Sequence, residues 1–377
     1  APTQGRSMNP LFAGIYRMLH ARPLVDVAYF TAGTLQPVKD RYDDWVATRD
    51  PVPWEELKPW LGLNPSVFFV VTPSSICNAR CVFCAYPQLV AKGYRGAVMP
   101  METFQRAVWE WESIGGRSLN LTPTVGEVLT DPGFFDKLAF ARSTRIPDIR
   151  FYTNGLNLHL NENWRKMVDG RPDAILISLG GCDPVSYRRS FGVDGYANLI
   201  KGISLFLDYD KQQGYPVDVT LAFRPVQSGW RLTDTEDFRR IIRPHLGPRV
   251  RYTIKAGYDN WGGVIAQANL PRPMRLRPAR RPLSLPCINL FQPAVLPDGT
   301  LRCCACRIRD TNRDELEVGN IHESTLADLM KSARFQALLQ RFYAGNRPAI
   351  CQGCSLYRPI NRPWFNAFQA AANSPAS

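Results

Sequence analysis

Histidine is scarce in this chain. The four present (His20, His159, His245 and His322) form no spaced metal or triad pattern and read as structural or surface residues. Long apolar runs are missing as well. A run such as Val67-Phe-Phe-Val-Val71 is far short of the roughly 20 residues that cross a bilayer. No positive, apolar, small-residue series opens the chain, so no secretory signal is expected. No nucleic-acid-binding motif accompanies the basic residues, which weighs against RNA as a partner. The ten cysteines bunch into metal-like groups and do not spread as a disulfide framework, so a reducing, cytoplasmic setting is expected.

What remains is an ordinary globular composition, 45% hydrophobic and 21% charged. Its 377 residues suffice for a large core and a smaller second domain. The formal net charge of +13 favours anionic partners. Between Pro271 and Asp314 stand nine arginines against three aspartates. This stretch reads either as a solvated, proline-stiffened linker or as a site for a phosphate-bearing substrate.

Periodicity organises the middle of the chain. Buried-strand patterns are expected at Val67–Thr72, Leu119–Thr122, Ile149–Thr153, Ala174–Leu179, Val217–Phe223 and Arg249–Ala256. Helical patterns alternate with them at Met101–Ile114, Pro132–Arg145, near Asn161–Val168, around Tyr196–Tyr209 and near Asp234–His245. Six strand–helix units in a row predict a parallel sheet that right-handed crossovers curl toward a barrel. The C-terminal ends of its strands are then the place for a site. Ala294–Cys304 reads as a hairpin turning at Asp298-Gly299, and Ser324–Tyr343 as an amphipathic helix.

The short loop after the first strand is Cys77-Asn-Ala-Arg-Cys81-Val-Phe-Cys84. Four-iron clusters usually take four thiolates, so three in one loop leave one iron open for chemistry. A structural zinc site or a redox dithiol are the alternatives, but zinc prefers paired C-x2-C knuckles and a dithiol needs only two cysteines. The loop, with Phe83 before its last cysteine, resembles the cluster motif of the radical SAM superfamily. That resemblance implies a [4Fe-4S] cluster whose open iron binds S-adenosylmethionine (SAM). It also implies a 5′-deoxyadenosyl radical that takes a hydrogen atom from the substrate, and an electron donor such as flavodoxin or ferredoxin.

The strand ends carry the resemblance further. Thr124-Val-Gly-Glu-Val128 is similar to the Gly-Gly-Glu-Pro segment whose backbone and carboxylate hold the SAM amine in that family. Gly126 and Glu127 match, while Val125 and Val128 replace the first glycine and the proline. Thr153, Asn154 and Ser178 match positions that line the SAM pocket, and Arg224 at the end of strand five suits a carboxylate. At the C-terminus, Cys287, Cys304, Cys351 and Cys354 resemble the ligands of an auxiliary cluster in the one-cluster, twitch-type form of the SPASM domain. Cys306 is the alternative to Cys304, and zinc the alternative metal. Cys182, Cys303 and Cys306 remain as thiols; Cys182, or else Cys303 or Cys306, is a candidate catalytic hydrogen donor.

The resulting expectation is a partial (β/α)6 TIM-like barrel with a small C-terminal auxiliary-cluster domain of hairpin plus helix. The divisions are an N-terminal extension (1–65) packing on the main domain, the barrel (66–257), an Arg/Pro-rich linker (258–286), the cluster domain (287–358) and a polar tail (359–377). The expected activity is hydrogen abstraction from a small, polar or anionic, sugar- or aminocyclitol-like substrate, giving epimerisation or dehydrogenation, with the spare cysteines tilting toward epimerisation. A peptide-modifying maturase and a non-catalytic nucleic-acid-binding cluster protein are the rival readings.

Overall fold

The computed structural model describes residues 38, 40–62, 68–226, 232–255, 257–280, 283–306 and 314–373. The expected strand residue Val67, residue 256 and most of the N-terminal extension lie outside the described residues. β1 (Phe69–Val71) is three apolar residues, all buried, because it is flanked on both sides within a sheet. Parallel to it run β2 (Ser118–Asn120), β3 (Asp148–Thr153), β4 (Ala174–Leu179), β5 (Asp218–Phe223) and β6 (Val250–Ile254), each beside the one before.

The first crossover helix shows why this order is stable. α1 (Met101–Ser113) buries Phe104, Ala107, Val108 and Trp111 at helical spacing, with Pro100 at its N-cap. Trp111 stacks on Phe69 of β1 with ring centroids 4.9 Å apart. Each such aromatic contributes roughly 1.5–3 kcal/mol by burial. α2 (Phe134–Ser143), α3 (Asn163–Asp169), α4 (Pro184–Phe191) and α5 (Tyr196–Gln212) complete the described crossovers up to β5. α4 was not expected from the sequence; Asp183 caps it by accepting from Ser186 N, and Pro184 opens it.

Side-chain parity fixes two faces. Ile177 and Leu199 of α5 both border Gly155, so Ile175, Ile177 and Leu179 face the helices. Ser178, of opposite parity, looks the other way. By the β4–β5–β6 register, Ala222 and Thr253 share that face with Ser178.

The C-terminal hairpin is not a separate body. β9 (Ala294–Val295) pairs in parallel with the free edge of β1, and β10 (Thr300–Arg302) and β11 (Glu317–Asn320) follow antiparallel. The sheet is thus nine strands in the order β11-β10-β9-β1-β2-β3-β4-β5-β6, an open, partial barrel extended past its first strand.

Two expectations about the flanks change. The linker holds a small parallel pair, β7 (Gly257–Tyr258) and β8 (Arg275–Leu276). The expected tail forms α7 (Arg362–Asn373), which follows α6 (Ala333–Tyr343); its Phe365 and Phe368 are buried at i, i+3 and Phe368 meets Phe291 at 5.6 Å. The described part of the extension rests on the linker and the C-terminal helices: Arg280 binds Asp44, Arg362 binds Asp50 and Glu56, and Tyr343 Oη donates to Val52 O. Among the described residues no helix is long and apolar enough to cross a membrane.

Candidate active site

The cysteine loop leaves the C-terminal end of β1 and ends at the short helix Tyr86–Ala91. α4 is its bed: Arg80 N donates to Phe191 O (2.9 Å) and Val82 N to Ser190 O (3.1 Å). Gly192 follows at φ +70°, and a Cβ there would overlap Arg80 O, so only glycine lets the loop lie this close. Trp261 Nε1 donates to Phe83 O (3.0 Å) and holds the loop from the other side.

Cys77, Cys81 and Cys84 are half-buried and act electrostatically on one another. Burial is the main cause that pushes the Cys77 thiol up to about 12, the Cys84 thiol to about 11 and Cys81 well up too. Three grouped thiols of this kind give up their protons when a metal takes the thiolates. Asn154 Nδ2 lies 3.9 Å from Cys77 Sγ, and Tyr86 N 3.5 Å from Cys84 Sγ.

Behind the loop stand the ends of β2 and β3. Gly126 has φ +132°, and a Cβ there would overlap Ser74 O and stand 2.8 Å from Ser75 Cα. Glu127, 3% exposed, accepts from Leu129 N (3.2 Å), Thr153 Oγ1 (2.5 Å) and Asn154 N (2.6 Å), and burial pushes its carboxyl up to about 7. Asn154 Nδ2 also donates to Asn78 Oδ1 (2.7 Å). The family pattern implied a carboxylate turned to the SAM amine. In this chain the carboxylate also accepts from three of the chain's own donors, which tie it to Thr153 and Asn154.

From the neighbouring strands, Arg224 follows β5 and donates from Nη2 to Ser178 Oγ (3.4 Å). Its guanidinium lies 4.8 Å over the Phe83 ring and its charge acts on Cys81 and Cys84. Two residues here escaped the sequence reading. Lys255 follows β6, and Tyr187 of α4 is fully buried with a hydroxyl that has no partner among the described residues. The groups whose charges act on that hydroxyl are Cys81, Glu127 and Cys77.

Cys182 is placed elsewhere. It is 5% exposed and hydrogen-bonded to Thr235, beside Asp237, which accepts from Tyr196 Oη at 2.6 Å. The charges acting on it are Asp237 and Asp183, with no residue of the cysteine loop among them.

A second group of thiols gathers beneath the hairpin. Cys287, Cys304, Cys351 and Cys354 are all buried, and Cys351 feels the other three. Burial pushes the Cys287 thiol up to about 12, and Arg358 N donates to its Sγ at 3.3 Å. Cys303 is fully buried beside them, while Cys306 is half-buried. Four facing thiols are the donor set of a closed four-iron cluster. Among the described residues no three or more His, Cys, Asp or Glu side chains converge as for one metal ion. The donor chemistry of both groups fits iron–sulfur clusters. Thr124 Oγ1, in the segment after β2, donates to Ala305 O at 2.8 Å and ties that strand end to the second group.

Two family models match the chain: the radical SAM superfamily over residues 71–223 and the iron–sulfur cluster-binding SPASM domain over residues 287–355. No curated protein matches. Among solved structures, similarity is found to BtrN in complex with AdoMet and 2-DOIA (16% identity, 76% of this chain and 92% of that one, TM-score 0.47). It is found to hexahistidine-tagged anSMEcpe with bound AdoMet (15%, 81% and 96%, 0.47). It is also found to Streptococcus suis SuiB bound to precursor peptide SuiA (15%, 81% and 73%, 0.47). The matched families imply SAM, a [4Fe-4S] cluster and auxiliary iron–sulfur binding. The chain belongs to the radical SAM superfamily and carries a C-terminal SPASM domain.

Proposed function

We propose that Cys77, Cys81 and Cys84 hold the SAM-binding cluster, and that Cys287, Cys304, Cys351 and Cys354 hold one auxiliary cluster. Residues 66–257 then carry the radical chemistry and 287–358 the auxiliary domain. When bound, SAM and its cluster supply a hydrogen-abstracting radical, and the auxiliary cluster supplies an electron acceptor. The chain's own residues position these groups. Gly126 offers backbone at close range, Asn154 and Thr153 are fixed by Glu127, and Arg224 and Ser178 present a cation and a hydroxyl to the SAM carboxylate. Phe83 and the surrounding core exclude water from the loop.

The substrate in this reading is a small, polar, sugar- or aminocyclitol-like molecule, and the reaction is dehydrogenation. One observation carries the choice over epimerisation: of the thiols proposed as hydrogen donors, Cys182 and Cys303 are buried at 5% and 0% exposure, which leaves only the half-buried Cys306, beside the auxiliary ligands. Cys182 is in addition held by Thr235, away from the loop. Dehydrogenation would balance with one hydrogen atom taken by the radical that bound SAM would supply, one proton released to solvent and one electron accepted by the auxiliary cluster that Cys287, Cys304, Cys351 and Cys354 would hold. An external donor such as flavodoxin or ferredoxin primes the first cluster. Reduced holoenzyme given SAM and aminocyclitol or sugar substrates in deuterated solvent tests this. Oxidised product with 5′-deoxyadenosine in equal amount is expected; an unoxidised product carrying solvent deuterium at carbon overturns dehydrogenation.

A further inference from the structure

Lys255 is the residue at the barrel mouth that the proposed chemistry leaves without a task. It follows β6 as Arg224 follows β5, and its N–H donates to Phe223 O at 2.8 Å, so the parallel register continues by one residue. In that register Lys255 has the parity of Thr253, and Arg224 that of Ala222, on the side where Arg224 meets Ser178. A third cation is tied in through Tyr258. The Tyr258 ring lies 5.3 Å from Phe83, its hydroxyl donates to Lys255 O (3.0 Å) and its carbonyl accepts from Arg277 N (2.7 Å).

Arg224 thus lies over Phe83, the backbones of Lys255 and Arg277 bond to Tyr258, and the charges of Arg224 and Arg277 act on Lys255. Among the described residues no carboxylate lies within ion-pair distance of any of the three. Arg224 Nε is buried without a partner. Burial is the main cause lowering both Lys255 and Arg277. The charges acting on Lys255 are those of Arg224 and Arg277. Asp40 and Asp259 act on Arg277, after Arg358, and Asp259 already accepts from Ser355 Oγ at 2.7 Å.

Half-buried cations gathered this way repel one another, and such charges are kept where an anion completes them. SAM brings one carboxylate, which Arg224 takes in the reading above, together with a sulfonium and an ammonium that make the mouth still more positive. We infer that the substrate carries a phosphate monoester, and that Lys255 and Arg277 bind it. A dianion neutralises two cations where a carboxylate neutralises one, and phosphate accepts from Lys as a point charge and from Arg in a fork. This deepens the proposed function and rests on it.

The test is calorimetric titration of oxidised, SAM-loaded holoenzyme with glucose 6-phosphate, with glucose and acetate as controls. Saturable binding of glucose 6-phosphate is expected, absent for glucose and at least tenfold weaker for acetate. Lys255→Gln and Arg277→Gln are each expected to weaken it at least tenfold while iron content and the EPR response to SAM stay unchanged. No saturable binding, equal binding of acetate, or undiminished binding in whichever variant loads its clusters overturns the inference. A holoenzyme whose EPR signal ignores SAM overturns the proposed function instead, so the two failures are distinguishable.

Discussion

Gly126→Ala probes the strand-end architecture most sharply. At φ +132° the backbone is in a region that side chains rarely adopt, and the added methyl would overlap Ser74 O and crowd Ser75 Cα at 2.8 Å. Both are backbone atoms at the start of the cysteine loop, so neither can rotate away. Strain of about 1–3 kcal/mol for the dihedral and a similar amount for overpacking gives roughly 2–6 kcal/mol. At about 2–4 °C per kcal/mol for a domain of this size, thermal unfolding should drop by about 5–20 °C. Because Ser74–Ser75 leads into Cys77, the response of the reduced cluster to SAM should weaken as well. Gly133→Ala is the control: its φ is −93°, and the methyl meets only Asp131 Oδ1 at 3.5 Å. That variant should stay within about 0.5 kcal/mol of the parent. A Gly126→Ala protein that melts with the parent and keeps the SAM response would refute the close approach on which the site is built.

Lys137 and Asp131 form a buried ion pair (2.5 Å), so Lys137→Met should cost about 3–5 kcal/mol in denaturant unfolding by leaving the carboxylate unpaired. Adding Asp131→Asn should recover part of that loss. Cys304→Ala should lose about four irons per chain on reconstitution, while Cys306→Ala should keep them. Tyr187→Phe keeps the stack on Phe191 (4.7 Å) but removes a buried hydroxyl near Cys81. Because that hydroxyl is buried without a partner among the described residues, denaturant unfolding should find Tyr187→Phe no less stable than the parent, and a loss above about 1 kcal/mol would contradict this.

Part of the barrel was legible because β1 and β4 are buried along most of their length and so read as continuous apolar runs: Phe69–Val71 and Ala174–Leu179 need no partner information to be recognised. The cysteine groups were legible because ligand spacing is local in the loop and distinctive at Cys351-x2-Cys354. The attachment of β9 to β1 was not, since a two-residue strand carries no periodicity and its pairing spans more than 200 residues. α7 was hidden in a short stretch whose apolar residues, Trp364, Phe365 and Phe368, make sense only once Phe291 is beside them. Lys255 and Arg277 were invisible as site residues for a similar reason. A lysine at a strand end and an arginine in an arginine-rich linker look like solvated charges until the register brings them to one mouth. The three donors that Glu127 accepts from were not legible, because a motif gives the residue and not the bonds its carboxylate makes.

The central claim is that two groups of cysteines hold two clusters, one with an open iron for SAM. Iron and sulfide content with EPR after reduction, on anaerobically reconstituted protein with and without SAM, tests it most directly. The account predicts about eight irons per chain and a signal that changes when SAM is added, with Cys77→Ala, Cys81→Ala and Cys84→Ala together removing about four irons and the SAM-dependent change. Zinc in place of iron, or a signal indifferent to SAM, would contradict it.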